Sequence, residues 1–474
     1  MSYVRSSGFT HGTSPWGSQN LISEFQEGQQ AVLDTQPLFP YNASAGYAVI
    51  RFWRTDMAVR RLLFVVAAAV PGAVGHLSAA EPIVLDPVRG VAGSVIPFAI
   101  CTLRGDASGA GIAGIIRTDL NKHGSFAEAM VKPADQQKLD DAERVRGTIY
   151  YDNWLNLGAV LVGKGSIGAT GADFQLYNTQ DKRVLLNKKY TLSGRRLAHQ
   201  IADDIVQAVL NQKGFFSSRL LFVRTAGPAR NIFMCDADGG NVRQLTKSSS
   251  LCIFPDWFPS GQDAVFTGYM EGRPIIYKLS LSSLGCTKLL SMPGMNTSGA
   301  VSPNGQQLAA ILDKDGLPEL YAVDLGGGAR RRLTRGRAAE SSPSWSPDGR
   351  RIVYSSEEGS GRPQIFIISA SGGTPQRITS GVSSYCTSPS WSPDGKKIAF
   401  VAQFGANFDI CIYSLDSGRV ANLTNNPSND EEPSWARDSR HIAFNRNGRI
   451  MLIDSETGKT VPFVSDGIQP AWQP

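Results

Sequence analysis

The side chains that could do chemistry are few, and each sits in a context that argues against it. Gly163-Lys164-Gly165-Ser166-Ile167-Gly168 has the G-x-G-x-x-G spacing, which holds a pyrophosphate when a helix starts after the glycines and turns its N-terminus toward the phosphates. Phe174-Gln175-Leu176-Tyr177 follows as a strand, so these glycines are expected in a hairpin. His199 has Asp203 four residues later on an amphipathic segment, which puts both on one helix face. A metal would need a third ligand that the neighbouring sequence does not offer, so a surface or interdomain pair is expected. A serine hydrolase would show the elbow G-x-S-x-G, which the sequence lacks, and beyond residue 80 only His123, His199 and His441 remain as bases. The six cysteines, at 101, 235, 252, 286, 386 and 411, form no C-x-x-C and have no histidine at metal spacing. They are expected as buried small hydrophobes, with pairing left open. No cofactor, metal or catalytic group is expected. The net charge of +6 and 19% charged residues are spread along the chain, which gives no nucleic-acid footprint.

The elements that position these residues come in repeats. Pro343-Ser344-Trp345-Ser346-Pro347-Asp348-Gly349 returns as Pro389-Ser390-Trp391-Ser392-Pro393-Asp394-Gly395 and, more loosely, as Pro433-Ser434-Trp435-Ala436-Arg437-Asp438-Ser439. Looser copies at Trp257 and Val301 and a truncated one, Pro470-Ala471-Trp472, bring the anchors to six, at 257, 301, 345, 391, 435 and 472. Each full anchor leads a β-rich triplet, an apolar strand and a short strand closing on Leu-Thr or Ile-Thr. Four strands in a unit of this length is the pattern of a propeller blade. In the turn, Pro fixes φ, Asp caps and Gly takes positive φ, while the Trp is expected between blades. Leu220-Leu221-Phe222-Val223 opens a blade that lacks its first strand, and Pro470-Ala471-Trp472 is a first strand lacking the rest. Joined, they close six blades.

Residues 81–215 lack the repeat. Strands at Val95–Ile100 and Phe174–Tyr177, a helix from Ile112 to His123, an element over Asn153–Val162 and an amphipathic helix from Arg195 to Leu210 predict a small α/β domain. Leu197, Ile201, Ile205, Ala208 and Val209 mark the apolar face of the last helix, and Lys213-Gly214-Phe215 its cap and the link to the propeller over 216–474. Upstream, Met57-Ala58-Val59-Arg60-Arg61, the apolar run Leu62–Val70 and Leu77-Ser78-Ala79-Ala80 have the layout of a secretory signal over 57–80, cut after Ala80. Residues 1–56 then read as a non-native or disordered extension ahead of a start at Met57, the alternative being a genuine long leader.

The stretch Arg196-Leu197-Ala198-His199-Gln200-Ile201-Ala202-Asp203-Asp204, followed by Lys213-Gly214-Phe215-Phe216 and Arg219-Leu220-Leu221-Phe222-Val223 ahead of a six-bladed propeller, resembles the domain junction of the TolB family. This is the periplasmic component of the Tol-Pal envelope system, and the resemblance spans 81–474. It implies a non-catalytic scaffold, monomeric and peripheral to the membrane, serving outer-membrane integrity and envelope constriction at division. The lipoprotein Pal would dock at the propeller's channel mouth, through loops bearing Met295, Asn296, Thr297, Ser298, Glu340, Ser341, Ser342, Thr387, Ser388, Asp430, Glu431 and Glu432. TolA would take the segment Glu81, Pro82, Ile83, Val84, Leu85 and Asp86, in which Ile83-Val84-Leu85 could add as a strand to a partner sheet. Pro82 and Pro87 hold that pairing to a short stretch. Other outer-membrane proteins are further possible partners. The alternative readings are the propeller of a peptidase-like protein and a periplasmic protein binding a small ligand or sugar in its channel.

Overall fold

The structure, a computed structural model, describes residues 85–87, 95–106, 111–313, 316–359 and 361–474. The expected extension 1–56, the leader 57–80 and Glu81–Val84 lie outside the described residues.

The first strand, β1 (Leu85–Pro87), stands apart from the α/β domain and is taken up below. The domain's sheet has the order β3-β2-β4-β5-β6, from β2 (Ile96–Ile100), β3 (Phe126–Glu128), β4 (Leu161–Gly168), β5 (Gly171–Asn178) and β6 (Arg183–Tyr190). β2 runs parallel to β3 and β4, and β4, β5 and β6 form an antiparallel meander. The six glycine-motif residues lie inside β4, where a Cβ at Gly165 would sit 2.3 Å from the Asp173 carbonyl oxygen. They serve close strand packing, as the hairpin reading requires.

Helices α1 (Gly111–His123) and α4 (Gly194–Leu210) cover the sheet and share one apolar core with it. Leu197, Ile201 and Ile205 are fully buried as expected, and Val209 packs at the margin. Ala208 is exposed and Val206 takes its place inside. The cap is Asn211, in the left-handed conformation, and not Lys213-Gly214-Phe215. Two further helices precede β4. α2 (Pro133–Arg146) has Pro133 in its first turn and left-handed Gly147 after its end, and α3 (Tyr151–Asn156) occupies the start of the Asn153–Val162 element.

The propeller has six four-stranded sheets. Blades one to five begin at inner strands Cys252–Trp257, Asn296–Val301, Glu340–Trp345, Cys386–Trp391 and Asp430–Trp435. In blade six the inner strand is the C-terminal Ile468–Trp472, paired antiparallel with Arg219–Ala226. Closure thus forms where the sequence places it, and it leaves Arg219–Ala226 paired on both sides.

The blade motif explains itself in hydrogen bonds. In the Ser-Pro-Asp-Gly turn, Ser346 Oγ donates to Asp348 Oδ1 (2.5 Å), which also receives Arg350 N (3.0 Å), and Gly349 has φ +68°. The closing Thr does equal service. Thr246, Thr334, Thr379 and Thr424 Oγ1 each accept the N–H at the start of the third strand, from Ile232, Leu320, Ile365 and Ile410 (2.9–3.1 Å). The tryptophans bridge blades, since Trp345 Nε1 donates to the Ala300 carbonyl and Trp435 Nε1 to that of Ser390.

Candidate protein-docking site

The six inner strands line a central cavity of about 500 Å³. Each strand carries a β-bulge and, within it, one non-glycine residue in the left-handed region: Phe254, Ser298, Ser342, Ser388, Glu432 and Gln469, all with φ between 50° and 57°. Such a conformation costs on the order of 1–3 kcal/mol per residue and persists only where the surroundings over-determine it. Here the ring does so. Gln469 N donates to Glu432 Oε2 (2.7 Å) and Phe254 N to Gln469 Oε1 (2.9 Å), which links blades five, six and one around the wall. Burial raises the Glu432 pKa despite the Gln469 hydrogen bonds. The opposite arc is made of three serines, Ser298, Ser342 and Ser388, so the wall is small and polar on one side and bulkier, acidic and aromatic on the other.

The expected docking residues begin these same strands. Register sorts them into two sets. The first residue of each strand points into the blade, and Asn296, Glu340 and Asp430 are buried. Asn296 fastens its own loop by accepting Met292 N and donating to the Met292 and Gly294 carbonyls. Asp430 takes a two-pronged contact from Arg446 (2.6 and 2.7 Å). Glu340 faces Ser356 at that register, has no hydrogen-bond partner at Oε2 among the described residues, and is pushed by burial to a pKa of about 8. Asn296 and Asp430 hold loops in shape. Met295, Thr297, Ser298, Ser341, Ser342, Thr387, Ser388, Glu431 and Glu432 are half-buried, and they keep surface to offer a partner.

The other rim carries the turns, and the central cavity reaches it at Pro259, Pro303, Pro347 and Pro393. Successive Ser-Pro-Asp-Gly turns stack along it, with a Cβ at Gly395 reaching 3.2 Å from Pro347, and the α/β domain sits on the turns of blades five and six. Arg437 joins Asp203 (2.6 Å), His441 Nε2 meets the His123 carbonyl (3.0 Å), and Phe215 packs edge-on against Trp472. The strand-start rim, where the docking residues lie, is the opposite one.

His199 corrects the expected i, i+4 pair. Its Nδ1 bonds the fully buried Asp119 of α1 (2.8 Å), and its Nε2 faces Asp236 (3.7 Å), while Asp203 serves Arg437. His199, Asp236 and Asp238 bring ligand atoms within 4.8 Å of one another, as a metal site would. The cation among them is Arg195, which bonds both aspartates and stands 3.5 Å from His199 Nε2. Burial works against the charged imidazole, but the hydrogen bonds to Asp119 and Asp236 outweigh it and raise its pKa to about 9. A histidine whose folded pKa exceeds its unfolded value of roughly 6.5 stabilises fully below that value and loses its contribution as pH rises through the folded one. The denaturant midpoint should therefore fall from pH 6.5 to 9, and His199→Gln should flatten this slope. A slope unchanged in the variant would remove the charge from His199.

β1 adds in parallel to the outer edge of blade four, Leu85 to Pro87 opposite Val420 to Asn422, making that sheet five-stranded. Of the expected TolA segment, Leu85 and Asp86 thus lie on the chain's own propeller. Pro87 is tolerated because β1 is itself the edge. The cysteines are all free, with Cys286 exposed and the other five buried.

Residues 206–474 match the family described as TolB beta propeller domain. The Tol-Pal system protein TolB of Bordetella parapertussis is 32% identical over 406 residues, covering 82% of this chain and 89% of the relative. The protein of the same name from Bordetella pertussis is 31% identical over 406 residues, covering 82% and 90%. Among solved structures, TolB from Acinetobacter baumannii superposes with a TM-score of 0.68 at 25% identity, over 81% of this chain and 97% of that one.

Proposed function

The chain belongs to the TolB family, and on that premise we propose that it is a non-catalytic periplasmic scaffold of the Tol-Pal system, docking Pal on the strand-start rim and TolA through its N-terminal segment. The observation that supports this reading is the ring of six left-handed residues. It fixes a rigid collar in the cavity wall, polar and half-buried at Ser298, Ser342, Ser388 and Glu432, and preorganised surfaces lose little entropy when a protein docks. The serine arc favours close approach of a partner backbone, and the Glu432 arc adds hydrogen-bond acceptors.

The N-terminal segment supplies the second contact. Its backbone hydrogen bonds to blade four are the bonds a partner sheet would use, so self-docking and TolA capture compete. Three residues of parallel pairing is a weak hold, which makes release a matter of small free-energy differences. Pal docking at the rim can bias that balance if it shifts blade four, whose inner strand carries Thr387 and Ser388.

Two capture measurements separate the halves of the proposal. Thr297→Arg with Thr387→Arg, both half-buried and next to Ser298 and Ser388 of the collar, should weaken Pal capture at least tenfold and leave TolA capture unchanged. Deleting residues 81–89 should abolish TolA capture and leave Pal bound. Unchanged Pal binding in the first variant would move the docking face elsewhere, and unchanged TolA binding in the second would end the segment's role.

A further inference from the structure

The inner strand of blade three begins with a buried acid that no base reaches. Glu340 is 4% exposed, its Oε2 has no hydrogen-bond partner among the described residues, and the charges that act on it are those of Glu357 and Glu358, both acidic. We propose that Glu340 is a proton switch in the wall of the central cavity. With its proton it stays packed at the seam of blades two and three. Without it, the carboxylate turns out to water and draws the strand start, Glu340 to Ser342, away from the seam. The reading goes beyond the docking role and does not depend on it.

Blade five shows what an acid at this position needs. Asp430 starts its inner strand and stands opposite Arg446, which holds it from two guanidinium nitrogens (2.6 and 2.7 Å). In blade three the residue opposite Glu340 is Ser356, whose hydroxyl serves Glu340 and accepts Glu358 N (3.1 Å). The inner strands of blades one, two and four begin with Cys252, Asn296 and Cys386, which carry no carboxyl. Of these five starts, Glu340 is the acid without its arginine.

The groups packed around it leave it so. Tyr354, two residues before Ser356 and on the same face of that strand, is fully buried against Ala309, Ile311 and Leu320 of blade two, and its hydroxyl also lacks a partner among the described residues. From blade two, Gln307–Asp313 ends in Asp313, which accepts Gly316 N (2.6 Å), and Asn296–Val301 carries no titratable group. On Pro318–Asp324, Glu319 is taken by Arg332, Tyr321 packs toward blade one, and Asp324 lies at the far end, as does Arg351 of blade three. Blade four offers the buried thiol of Cys386, and the connection leading into the strand carries Arg335 and Arg337, both exposed.

A buried carboxyl without a cation keeps its proton well above the value of roughly 4.3 for a solvated glutamate, and burial takes Glu340 to about 8. The packed form is therefore fully favoured below the solvated value and is lost as pH rises through the folded one. The proton goes to solvent and no other covalent bond changes. Glu357 N donates to Ala339 O (3.2 Å) just ahead of the strand, and the bulge between Ser341 and Ser344 follows, so the segment that moves is short and includes the left-handed Ser342. Amide hydrogen exchange of the full chain, corrected for the intrinsic rate, reads this locally. From about pH 6.5 to about pH 9.5, protection of residues 340–344 should fall at least tenfold, while residues 430–434, which start with the arginine-held Asp430, should stay within about twofold. Glu340→Gln, neutral throughout, should keep the blade-three strand protected. Infrared spectra of the native chain over the same range should lose a protonated-carboxyl band that Glu340→Gln lacks. Equal loss of protection in both strands, the same loss in Glu340→Gln, or no such band from Glu340 at the lower pH would overturn the proposal.

Discussion

Replacing Trp472 by alanine should lower the melting temperature by on the order of 10 °C, and deleting 468–474 should abolish the single cooperative transition of the propeller. Truncating a buried tryptophan costs about 3–5 kcal/mol, and in a domain of this size each kcal/mol moves the midpoint by roughly 2–4 °C. Trp472 is 5% exposed and meets three parts of the fold. Its indole N–H donates to Ser218 Oγ in the interdomain link (2.6 Å), its ring packs on Phe215 and Phe463, and its backbone N–H goes to Ser434 of blade five (2.9 Å). The deletion removes more. Ala471 O accepts Trp257 Nε1 of blade one (2.9 Å), and Gln469 bridges Glu432 and Phe254. Without Ile468–Trp472, blades five and one face a gap, and Arg219–Ala226 becomes an edge with unpaired backbone groups. Calorimetry of the two variants measures both effects. A midpoint for Trp472→Ala within ~2 °C of the native chain would show that the ring is held elsewhere.

The ring was legible because each blade repeats a turn whose Pro, Asp and Gly have fixed conformational roles, and because the missing first strand near Leu220 matches the surplus one at Trp472. The proposed docking collar was legible only in part. The loops could be named, but the split between buried Asn296, Glu340 and Asp430 and half-buried Thr297, Ser342 or Glu432 depends on register and on a bulge. Nothing in Ser-Pro or Glu-Pro advertises a left-handed residue, since a following proline ordinarily pushes its neighbour to extended backbone. Helix α2 escaped notice because Pro133–Arg146 has no apolar stripe. Its buried residues are Asp140 and Glu143, which Lys164 of β4 neutralises. The partner of His199 was invisible for another reason. Asp119 is 80 residues away and Asp236 is 37, and only the docking of α1 and α4 on blade six brings them together.

Asp203→Ala should cost about 3 kcal/mol, because it leaves the N–H groups of Phe216 and Ser217 at the joint without their acceptor, at about 1–3 kcal/mol for each buried group left unpaired, and should split thermal unfolding into two transitions. Asp203 lies on α4 at the joint between domain and propeller. One oxygen accepts Phe216 N (2.7 Å), the other accepts Ser217 N (3.0 Å), the Ser217 hydroxyl and Arg437 NH2 (2.6 Å). The linker comes so close that a Cβ at Gly214 would be 2.3 Å from Asp203 Oδ1, which is why a glycine precedes Phe215-Phe216. Burial still raises the pKa of Asp203 against the pull of Arg437 and the donors of Ser217 and Phe216. The carboxylate is therefore held for its geometry at some cost in desolvation. Asparagine keeps the shape and an acceptor for Phe216 N, so Asp203→Asn should lose less than half as much as alanine. Because Arg437 sits in the turn that follows the blade-five inner strand, loosening it frees the far end of the strand that carries Glu431 and Glu432. The alanine variant should bind Pal more weakly than its folded fraction accounts for, while the asparagine variant should not. Equal stability losses in the two variants would show that charge, and not the arrangement of acceptors, couples the α/β domain to the docking rim.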